Sequence, residues 1–234
     1  MKLSGRLQRI SEFVTKGNIL ADIGTDHGYI PIYLVENNVV PYAYACDVKE
    51  GPLERAREHI AEHKLEDKIR LRLSNGLEKL EKSEADTILI AGMGGELIID
   101  ILKSGKEVLD TAKELIVSPH SEINLVRKYL NSEKYILVEE DMIKDAGKYY
   151  VIMKWVKGEG DSFTEDFSEC ELLYGKILLR KKNPVLSEYL NNEKNNYYKI
   201  LSLLDREGKS DVILKKDSIK KRLLTIEEAL CFYN

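Results

Sequence analysis

The sequence predicts an α/β fold in which a seven-stranded, mostly parallel sheet precedes a separate helical domain. Three observations support this prediction. Short apolar segments alternate with helix-like segments between residues 18 and 131, which is the pattern of a parallel sheet covered by helices. Two strand-like segments then follow without a helix between them, as in an antiparallel hairpin. Beyond residue 157 only helical periodicity remains.

The first element is an amphipathic helix predicted at residues 2–14, where apolar residues recur at helical spacing. Its basic face, formed by Lys2, Arg6 and Arg9, is either a solvated surface or a functional cationic face. The elements that follow are strand 18–23, helix 28–36, strand 41–47, helix 50–63, strands 68–74 and 86–92, helix 95–103, strand 114–119, helix 122–131 and strands 135–143 and 148–156.

A polar, glycine-containing link leads from the last strand into the helical part of the chain. Pro184 begins a helix for which Asn183 is a suitable N-cap, and residues 205–211 form a turn before the last helix. The sequence therefore predicts a sheet domain at 1–157 and a helical hairpin or small bundle at 158–234.

The composition is that of a globular protein, with 43% hydrophobic and 32% charged residues in a chain of 234. No apolar run reaches the ~18–20 residues of a membrane span, and the N-terminus lacks the apolar segment of a signal peptide. The three cysteines lie far apart. We therefore expect a cytoplasmic protein without membrane association and without a metal site.

The net charge of −4 requires any nucleic-acid-binding surface to be local. Basic residues do cluster in the helical domain, although acids nearly balance them. They are Arg180, Lys181, Lys182, Lys215, Lys216, Lys220, Lys221 and Arg222. These residues form either solvated helix faces or a surface that contacts phosphates.

The loop after the first strand is the expected ligand site, because open α/β sheets bind ligands at the carboxyl ends of their strands. In "ILADIGTDHGYIPIYL", Gly24 and Gly28 allow a ligand to approach the backbone. The loop carries Asp22 and Asp26 instead of the Lys or Arg of a phosphate cradle. Such acids suit the ammonium and sulfonium of S-adenosylmethionine; a tight turn with a capping Asp is the alternative.

Residues at the next two strand ends fit an adenosine ligand. Asp47 ends the second strand, where an acid accepts ribose hydroxyls, and Val48 can pack on adenine. After the third strand, Asn75 can hydrogen-bond the adenine edge and Leu77 can cover its face. Asn-Gly is also an ordinary turn, so this second pair is the weaker indication.

Three glycines within four residues follow the fourth strand in "ILIAGMGGELI". At Gly92, Gly94 and Gly95 a bare backbone would let a planar base or a methionyl chain come close. The [DNS]-P-P-[YFW] tetrapeptide of amino-methylating enzymes is absent, which argues against a proline-braced grip on an exocyclic amine.

Five segments occur in order and at fitting separations: "ADIGTDHGYIPIYL", "GPLERAREHI", "NGLEKL", "IAGMGGELIIDIL" and "GKYYVIMKW". Through them the chain resembles the bacterial tRNA (adenine-N1)-methyltransferases that modify adenine 22, which are class I methyltransferases. The resemblance implies a Rossmann-like catalytic domain, a C-terminal coiled-coil-like domain, S-adenosylmethionine as cofactor and methyl transfer to N1 of an adenine in tRNA. We expect a monomer or a weak dimer.

The resemblance also assigns the site. The residues expected around the cofactor are Asp22, Gly24, Thr25, His27, Gly28, Asp47, Val48, Asn75, Gly76, Leu77, Ala91, Gly92 and Met93. The chain departs from the family pattern at Ser118-Pro119-His120, where Gln-Pro-Asn is usual, and at Asp47, where Glu is common. If the first of these segments lines the acceptor pocket, it alters the fit of the substrate.

The chemistry implied by the resemblance needs a carboxylate near the base, because attack by N1 makes the ring cationic. We assign this role to Asp26, with Tyr29 stacking on or hydrogen-bonding to the base and His27 assisting or contacting the methionyl group. The alternative for Asp26 is an N-cap of the following helix. The helical domain and the Arg6 and Arg9 face would hold the tRNA backbone while the adenine is exposed or flipped.

Two other functions share parts of this pattern. A small-molecule methyltransferase would use the same cofactor site but would need no basic helical arm, and labelled S-adenosylmethionine with total tRNA separates the two. A non-catalytic nucleotide-binding adaptor would fail to bind S-adenosylmethionine in calorimetry. A nicotinamide dehydrogenase is disfavoured, because the G-x-G-x-x-G fingerprint is missing.

Overall fold

The computed structural model describes residues 1–158, 166–204 and 212–234. The chain forms two compact units, Met1–Glu165 and Asp166–Asn234. The predicted division after residue 157 falls just before the segment 159–165, which lies outside the described residues. The predicted turn at 205–211 also lies outside them.

The first unit is built on a seven-stranded sheet of order β3-β2-β1-β4-β5-β7-β6. The strands are β1 Leu20–Ile23, β2 Ala43–Asp47, β3 Ile69–Leu73, β4 Thr87–Ala91, β5 Glu114–Ser118, β6 Tyr135–Asp145 and β7 Lys148–Lys157. Strands β1 to β5 are parallel, whereas β7 is antiparallel to both β5 and β6. The predicted fold, a mostly parallel sheet ending in a hairpin, is confirmed.

The helices of this unit follow the predicted order, with two differences. They are α1 Gly5–Ser11, α2 Tyr29–Glu36, α3 Glu50–Glu62, α4 Gly95–Ser104, α5 Lys106–Leu109 and α6 Ile123–Ser132. Helix α1 is shorter than the predicted span 2–14, because the Ser4 side chain caps it by accepting from the Leu7 amide. Helix α5 was not predicted, since four residues are too short to show a helical period.

A buried carboxylate fixes the connection between α1 and the sheet. Glu114, at the start of β5, is 5% exposed and accepts hydrogen bonds from the Thr15 amide (2.9 Å) and hydroxyl (2.6 Å). The Lys154 ammonium lies 2.7 Å from it, and Thr87 also donates to it. Burial alone would raise the pKa of Glu114, but these donors outweigh it and hold the pKa below its usual range.

The second unit is helical, as predicted. Its helices are α7 Glu169–Tyr174, α8 Lys176–Arg180, α9 Pro184–Leu204 and α10 Val212–Cys231. The Asn183 side chain accepts from the amides of Val185 (2.9 Å) and Leu186 (3.0 Å), so its predicted role as the cap of α9 is confirmed. The apolar stripe of α9 is buried at Leu190 and reaches the surface at Leu203, which is 59% exposed.

The three cysteines differ in their surroundings. Cys46 in β2 and Cys170 in α7 are buried, and burial raises the pKa of each thiol to about 12. Cys231, at the end of α10, is exposed. No described helix is long and apolar enough to cross a membrane, and the described residues contain no group of three or more metal-ligating side chains.

Candidate active site

A cavity of about 360 Å³ opens at the carboxyl edge of the parallel strands, where ligand sites of such sheets lie. Its walls come from α1 and from the segments that follow β1, β4 and β5, and they include Arg6, Asp22, Asp26, Gly92 and His120. A second cavity, of about 270 Å³, lies at the opposite edge. Two lysines that line it are paired with acids in the same wall, so the first cavity is the better candidate.

The loop after β1 is shaped by main-chain bonds to the neighbouring strand. The amides of Gly24 and Thr25 donate to the Cys46 carbonyl at 2.8 and 2.9 Å. Gly24 has a φ of 79°, a conformation that favours glycine, and a Cβ there would collide with the Met93 Cε. A larger residue would therefore push the Met93 side chain from its place.

Asp22 is the buried acid near the end of β1. The residue lines the cavity although only 7% of its surface is exposed. Burial, together with the nearby charge of Asp47, raises the pKa of Asp22 to about 6, although the neighbouring Thr25 opposes this rise. A cationic group in the cavity would favour the ionised carboxylate.

Asp26 stands in the same wall, but it is exposed and held by two neighbours. Its Oδ1 accepts from the Arg55 guanidinium at 3.1 Å and lies 3.4 Å from the His27 Nε2. Gly28, with a φ of 66°, occupies the N-cap of α2 without any side-chain bond. The alternative that Asp26 caps α2 is therefore wrong.

Three rings stack beside Asp26. The centroids of His27 and Tyr29 are 5.1 Å apart and their planes differ by 4°, and His59 stacks on both at 5.4 Å. The His59 Nδ1–H also donates to the His27 carbonyl at 3.0 Å, which supports the left-handed backbone of His27, whose φ is 62°. Tyr29 itself lines the cavity.

Sequence reasoning missed both residues of α3 that support this loop. Arg55 and His59 are one helical turn apart, so they share the face of α3 that meets the loop. Both lie in "GPLERAREHI", which contributed to the family resemblance only as a motif. Their i, i+4 spacing was the signal that could have identified them.

The glycines after β4 divide into two kinds. Gly92 is exposed in the cavity wall, and a Cβ on it would lie 3.1 Å from the Arg6 guanidinium. A Cβ on Gly95 would clash with the Ser121 carbonyl at 2.7 Å, and one on Gly94 would press on the Ser121 hydroxyl at 3.2 Å. Of these three glycines, Gly92 lines the cavity, whereas Gly94 and Gly95 pack closely against the segment after β5.

Arg6 and His120 line the same cavity and lie beside Tyr150. The Arg6 guanidinium lies 4.8 Å from the centre of the Tyr150 ring, and the His120 ring stands 5.9 Å from it. Arg9, the other arginine of the predicted basic face, pairs with Glu12 (2.7 Å) and Asp141 (2.6 Å). Neither arginine therefore belongs to a simple solvated face.

Comparison with known proteins identifies the family. A family model described as a methyltransferase domain matches residues 3–153. The tRNA (adenine(22)-N(1))-methyltransferase of Bacillus subtilis strain 168 is 35% identical over 212 residues, covering 88% of this chain and 89% of the relative. The chain belongs to this family of methyltransferases.

Two solved structures resemble the whole chain. A Streptococcus pneumoniae protein in complex with S-adenosyl-L-methionine has a TM-score of 0.86 at 30% identity and covers 98% of this chain and 100% of its own. TrmK of M. capricolum in complex with S-adenosyl-homocysteine also has a TM-score of 0.86 at 30% identity, with full coverage of both chains. The expected family and fold are confirmed.

At the ends of β2 and β3, one of the residues predicted to contact adenosine lies elsewhere than expected. Asp47 accepts from the Lys49 amide through Oδ1 (2.8 Å), and Val48 is 59% exposed. Leu77 is only 1% exposed. Its side chain packs so closely on Gly105 that a Cβ at that position would collide with it. The predicted contact of the Leu77 side chain with adenine is therefore wrong.

The remaining predicted cofactor residues fall into three groups. Asp22, Gly24, Ala91 and Gly92 line the cavity, and Met93 covers Gly24. Val48 and Asn75 are exposed at the neighbouring strand ends. The other three residues pack inside the protein. Thr25 is buried, Gly28 packs closely against Ala56, and Gly76 packs closely against Ile101.

Proposed function

We propose that this chain transfers the methyl group of S-adenosylmethionine to N1 of adenine 22 in tRNA. The observation that carries the proposal is the cavity with two acids, in which a buried Asp22 lies beside an exposed, oriented Asp26. It supports a cationic cofactor and a reaction that builds positive charge on its substrate. A tRNA substrate supports our inference of a cytoplasmic location.

The residues of the first unit fit the cofactor. Asp22 offers a carboxylate to an ammonium, the glycine at position 24 leaves the loop backbone open, and Asp47 retains an oxygen for ribose hydroxyls. The cavity volume lies within the usual range for small-molecule sites. When bound, the cofactor supplies a methyl group on a positively charged sulfur.

Asp26 acts on the base in this proposal. Because Arg55 and His27 both approach its Oδ1, Oδ2 is left to accept the N6–H of adenine. The carboxylate then stabilises the positive charge that develops on the ring and can take the N6 proton. The stacked Tyr29 presents a flat face on which the adenine can lie, which orients N1 for attack.

The deciding experiment combines the protein with S-adenosylmethionine and unmodified tRNA, followed by mass spectrometry of the digested tRNA. We expect 1-methyladenosine at position 22, and none in a matched tRNA that carries guanine there. Methylation of small molecules without any label in tRNA would contradict the proposal and favour the small-molecule alternative.

The affinity for S-adenosylhomocysteine should fall as the pH drops below about 6. Asp22 has a raised pKa of about 6 in the protein alone, and a ligand ammonium lowers it by favouring the carboxylate. Binding below pH 6 must then release a proton from Asp22. The affinity therefore falls by up to about tenfold for each pH unit below 6, and it does not change with pH above 6. Calorimetry across this range measures the effect. Asp22→Asn should bind weakly at every pH, and an unchanged slope in that variant would contradict the assignment.

We infer that tRNA also contacts basic residues of the helical unit. The predicted set needs one change. Arg222 donates to Glu193 through Nε (3.2 Å) and Nη2 (3.1 Å) and lies 5.1 Å from the centre of the Tyr174 ring, so its charge supports the helices. Lys220 and Lys221 are exposed. Lys221 lies 3.0 Å from Glu169, but both side chains of this pair are at the surface, so the two lysines are better candidates for contacts with phosphates.

Charge reversal of Lys220 and Lys221 to glutamate should weaken tRNA binding about tenfold or more at low salt, because two phosphate contacts become repulsive. Affinity for S-adenosylhomocysteine should not change. Filter binding and calorimetry measure the two affinities. A matched control reverses Lys106 and Lys113 at the sheet edge away from the cavity. Equal loss of tRNA affinity in both variants would indicate net charge only.

A further inference from the structure

The hairpin of β6 and β7 extends past the carboxyl edge of the parallel strands. Strand β7 pairs with β5 only from Met153 to Trp155, whereas its pairing with β6 continues to Lys148, five residues before Met153. At ~3.3 Å per residue, the hairpin therefore reaches roughly 16 Å beyond its last pair with β5. Residues 144–149 are called the hairpin tip below. The candidate active-site cavity opens at this same edge of the sheet.

Contacts with α1 and with the cavity wall hold the hairpin tip in place. The Asp145 carboxylate accepts a hydrogen bond from the Arg6 amide at 2.9 Å, at the start of α1. Next to the tip, the centre of the Tyr150 ring lies 4.8 Å from the Arg6 guanidinium and 5.9 Å from the His120 ring. Arg6 and His120 both line the cavity. The hairpin tip is therefore a fixed part of the cavity rim.

The hairpin tip carries two exposed lysines and an aromatic ring. Lys144 and Lys148 are exposed, and the Lys144 ammonium lies 5.3 Å from the centre of the half-buried Tyr149 ring. Burial lowers the pKa of His120, and the charges of Arg6 and Lys148 lower it further, so the charge of Lys148 acts on the cavity wall. The only acid of the tip is the carboxylate held at the start of α1.

We propose that the hairpin tip binds the tRNA strand next to the target adenine, with Lys144 and Lys148 on phosphates and Tyr149 against an unpaired base. This inference rests on the proposed function. An adenine that enters the cavity brings its neighbouring phosphates to the mouth of the cavity, because they are linked to its ribose. Lysines neutralise phosphates, and aromatic rings stack on unpaired bases of any sequence.

An RNA strand fits this surface better than a protein does. An acidic protein surface has the charge to pair with Lys144 and Lys148, but it has no base for Tyr149 and no group that belongs in the adjoining cavity. The tip also differs from the arginine face of α1, where Arg9 is already paired with two acids. It is the basic surface that continues directly from the wall of the cavity.

The first test replaces both lysines, in Lys144→Gln with Lys148→Gln, and measures tRNA affinity by filter binding between about 50 and 200 mM salt. We expect the affinity at the lower salt to fall about tenfold or more. The slope of log affinity against log salt should become shallower by about 1.4, because each contact with a single-stranded phosphate contributes about 0.7. Affinity for S-adenosylhomocysteine, measured by calorimetry, should not change, because neither lysine lines the cavity.

The matched control removes two positive charges elsewhere on the same unit. Lys64 and Lys68 are exposed in the connection from α3 to β3, at the opposite edge of the sheet. Lys64→Gln with Lys68→Gln should leave tRNA affinity and the salt slope unchanged. Unchanged tRNA binding in the variant of Lys144 and Lys148, or an equal loss in both variants, would overturn the inference. If the unchanged protein neither binds nor methylates tRNA, the proposed function itself fails.

The second test concerns Tyr149 and separates stacking from charge. Tyr149→Phe keeps an aromatic ring, whereas Tyr149→Leu removes it. We expect the leucine variant to lose about 5- to 100-fold in tRNA affinity, which corresponds to one stacked base, and the phenylalanine variant to stay within about twofold. The salt slope should match that of the unchanged protein in both, since no charge is removed. Equal losses in the two variants would contradict the stacking role of Tyr149.

Discussion

Replacing Asp26 with asparagine should lower the rate of tRNA methylation about 100- to 10,000-fold, which is the usual contribution of a positioned acid or base. The amide keeps the size of the side chain and can still accept from Arg55. It cannot neutralise the positive charge on the adenine ring or take the N6 proton. Single-turnover rates with saturating cofactor and tRNA measure the chemical step without the binding steps.

The affinity for S-adenosylhomocysteine separates the two roles that Asp26 could have. It should stay within about twofold in Asp26→Asn, because the buried Asp22 holds the cofactor ammonium in our assignment. The exposed Asp67, in the turn between α3 and β3, provides a matched Asp67→Asn control with full activity. If Asp26→Asn loses cofactor affinity in proportion to rate, Asp26 belongs to the cofactor site and its catalytic assignment is wrong.

Replacing Arg127 with methionine should destabilise the first unit by about 3–5 kcal/mol, which is typical when one partner of a buried ion pair is removed. Arg127 in α6 is 1% exposed, and Glu140 in β6 is 2% exposed. The guanidinium donates to the Glu140 Oε1 through Nε (2.9 Å) and Nη2 (2.7 Å). The variant would leave the carboxylate buried without this cation.

Urea unfolding followed by tryptophan fluorescence measures this loss. Trp155 is the only tryptophan of the chain and is fully buried in β7, so its signal reports the sheet unit. The double variant Arg127→Met with Glu140→Leu should recover most of the stability, since neither member of the pair then leaves an uncompensated buried charge. A loss below about 1 kcal/mol in the single variant would contradict the expected cost of breaking this buried pair.

The fold was accessible from the sequence because its signals are local. Apolar strands alternate with amphipathic helices, and Pro184 and Asn183 mark the start of a helix by themselves. The hairpin of β6 and β7 followed from two strand patterns with no helix between them. Each of these inferences needed only residues close together in the chain.

The site was less accessible, because its geometry joins distant segments. Residue pattern and family resemblance both pointed to Asp22 and Asp26, but neither indicated that Arg55 and His59 hold the Asp26 loop from the next helix. Leu77 was misjudged for a related reason. A leucine after a strand can cover a ligand or fill the core, and only the packing on Gly105 distinguishes the two.

The basic residues show the same limit. Arg222 belongs to a cationic run in the sequence, yet its partners Glu193 and Tyr174 come from two other helices of its unit. The sequence predicted that Arg6 lies on a helix face that is either solvated or in contact with tRNA, whereas its side chain lines a cavity. Charge can be counted in a sequence, whereas its neutralisation depends on contacts between elements.

The cysteines described above make the chain convenient for spectroscopy. Cys46 and Cys170 are buried with strongly raised thiol pKa values, whereas Cys231 is exposed on the last helix. A maleimide dye can therefore be attached selectively at Cys231 without any mutation. The label then sits on the helical unit, where its anisotropy can follow tRNA association while Trp155 independently reports the sheet unit.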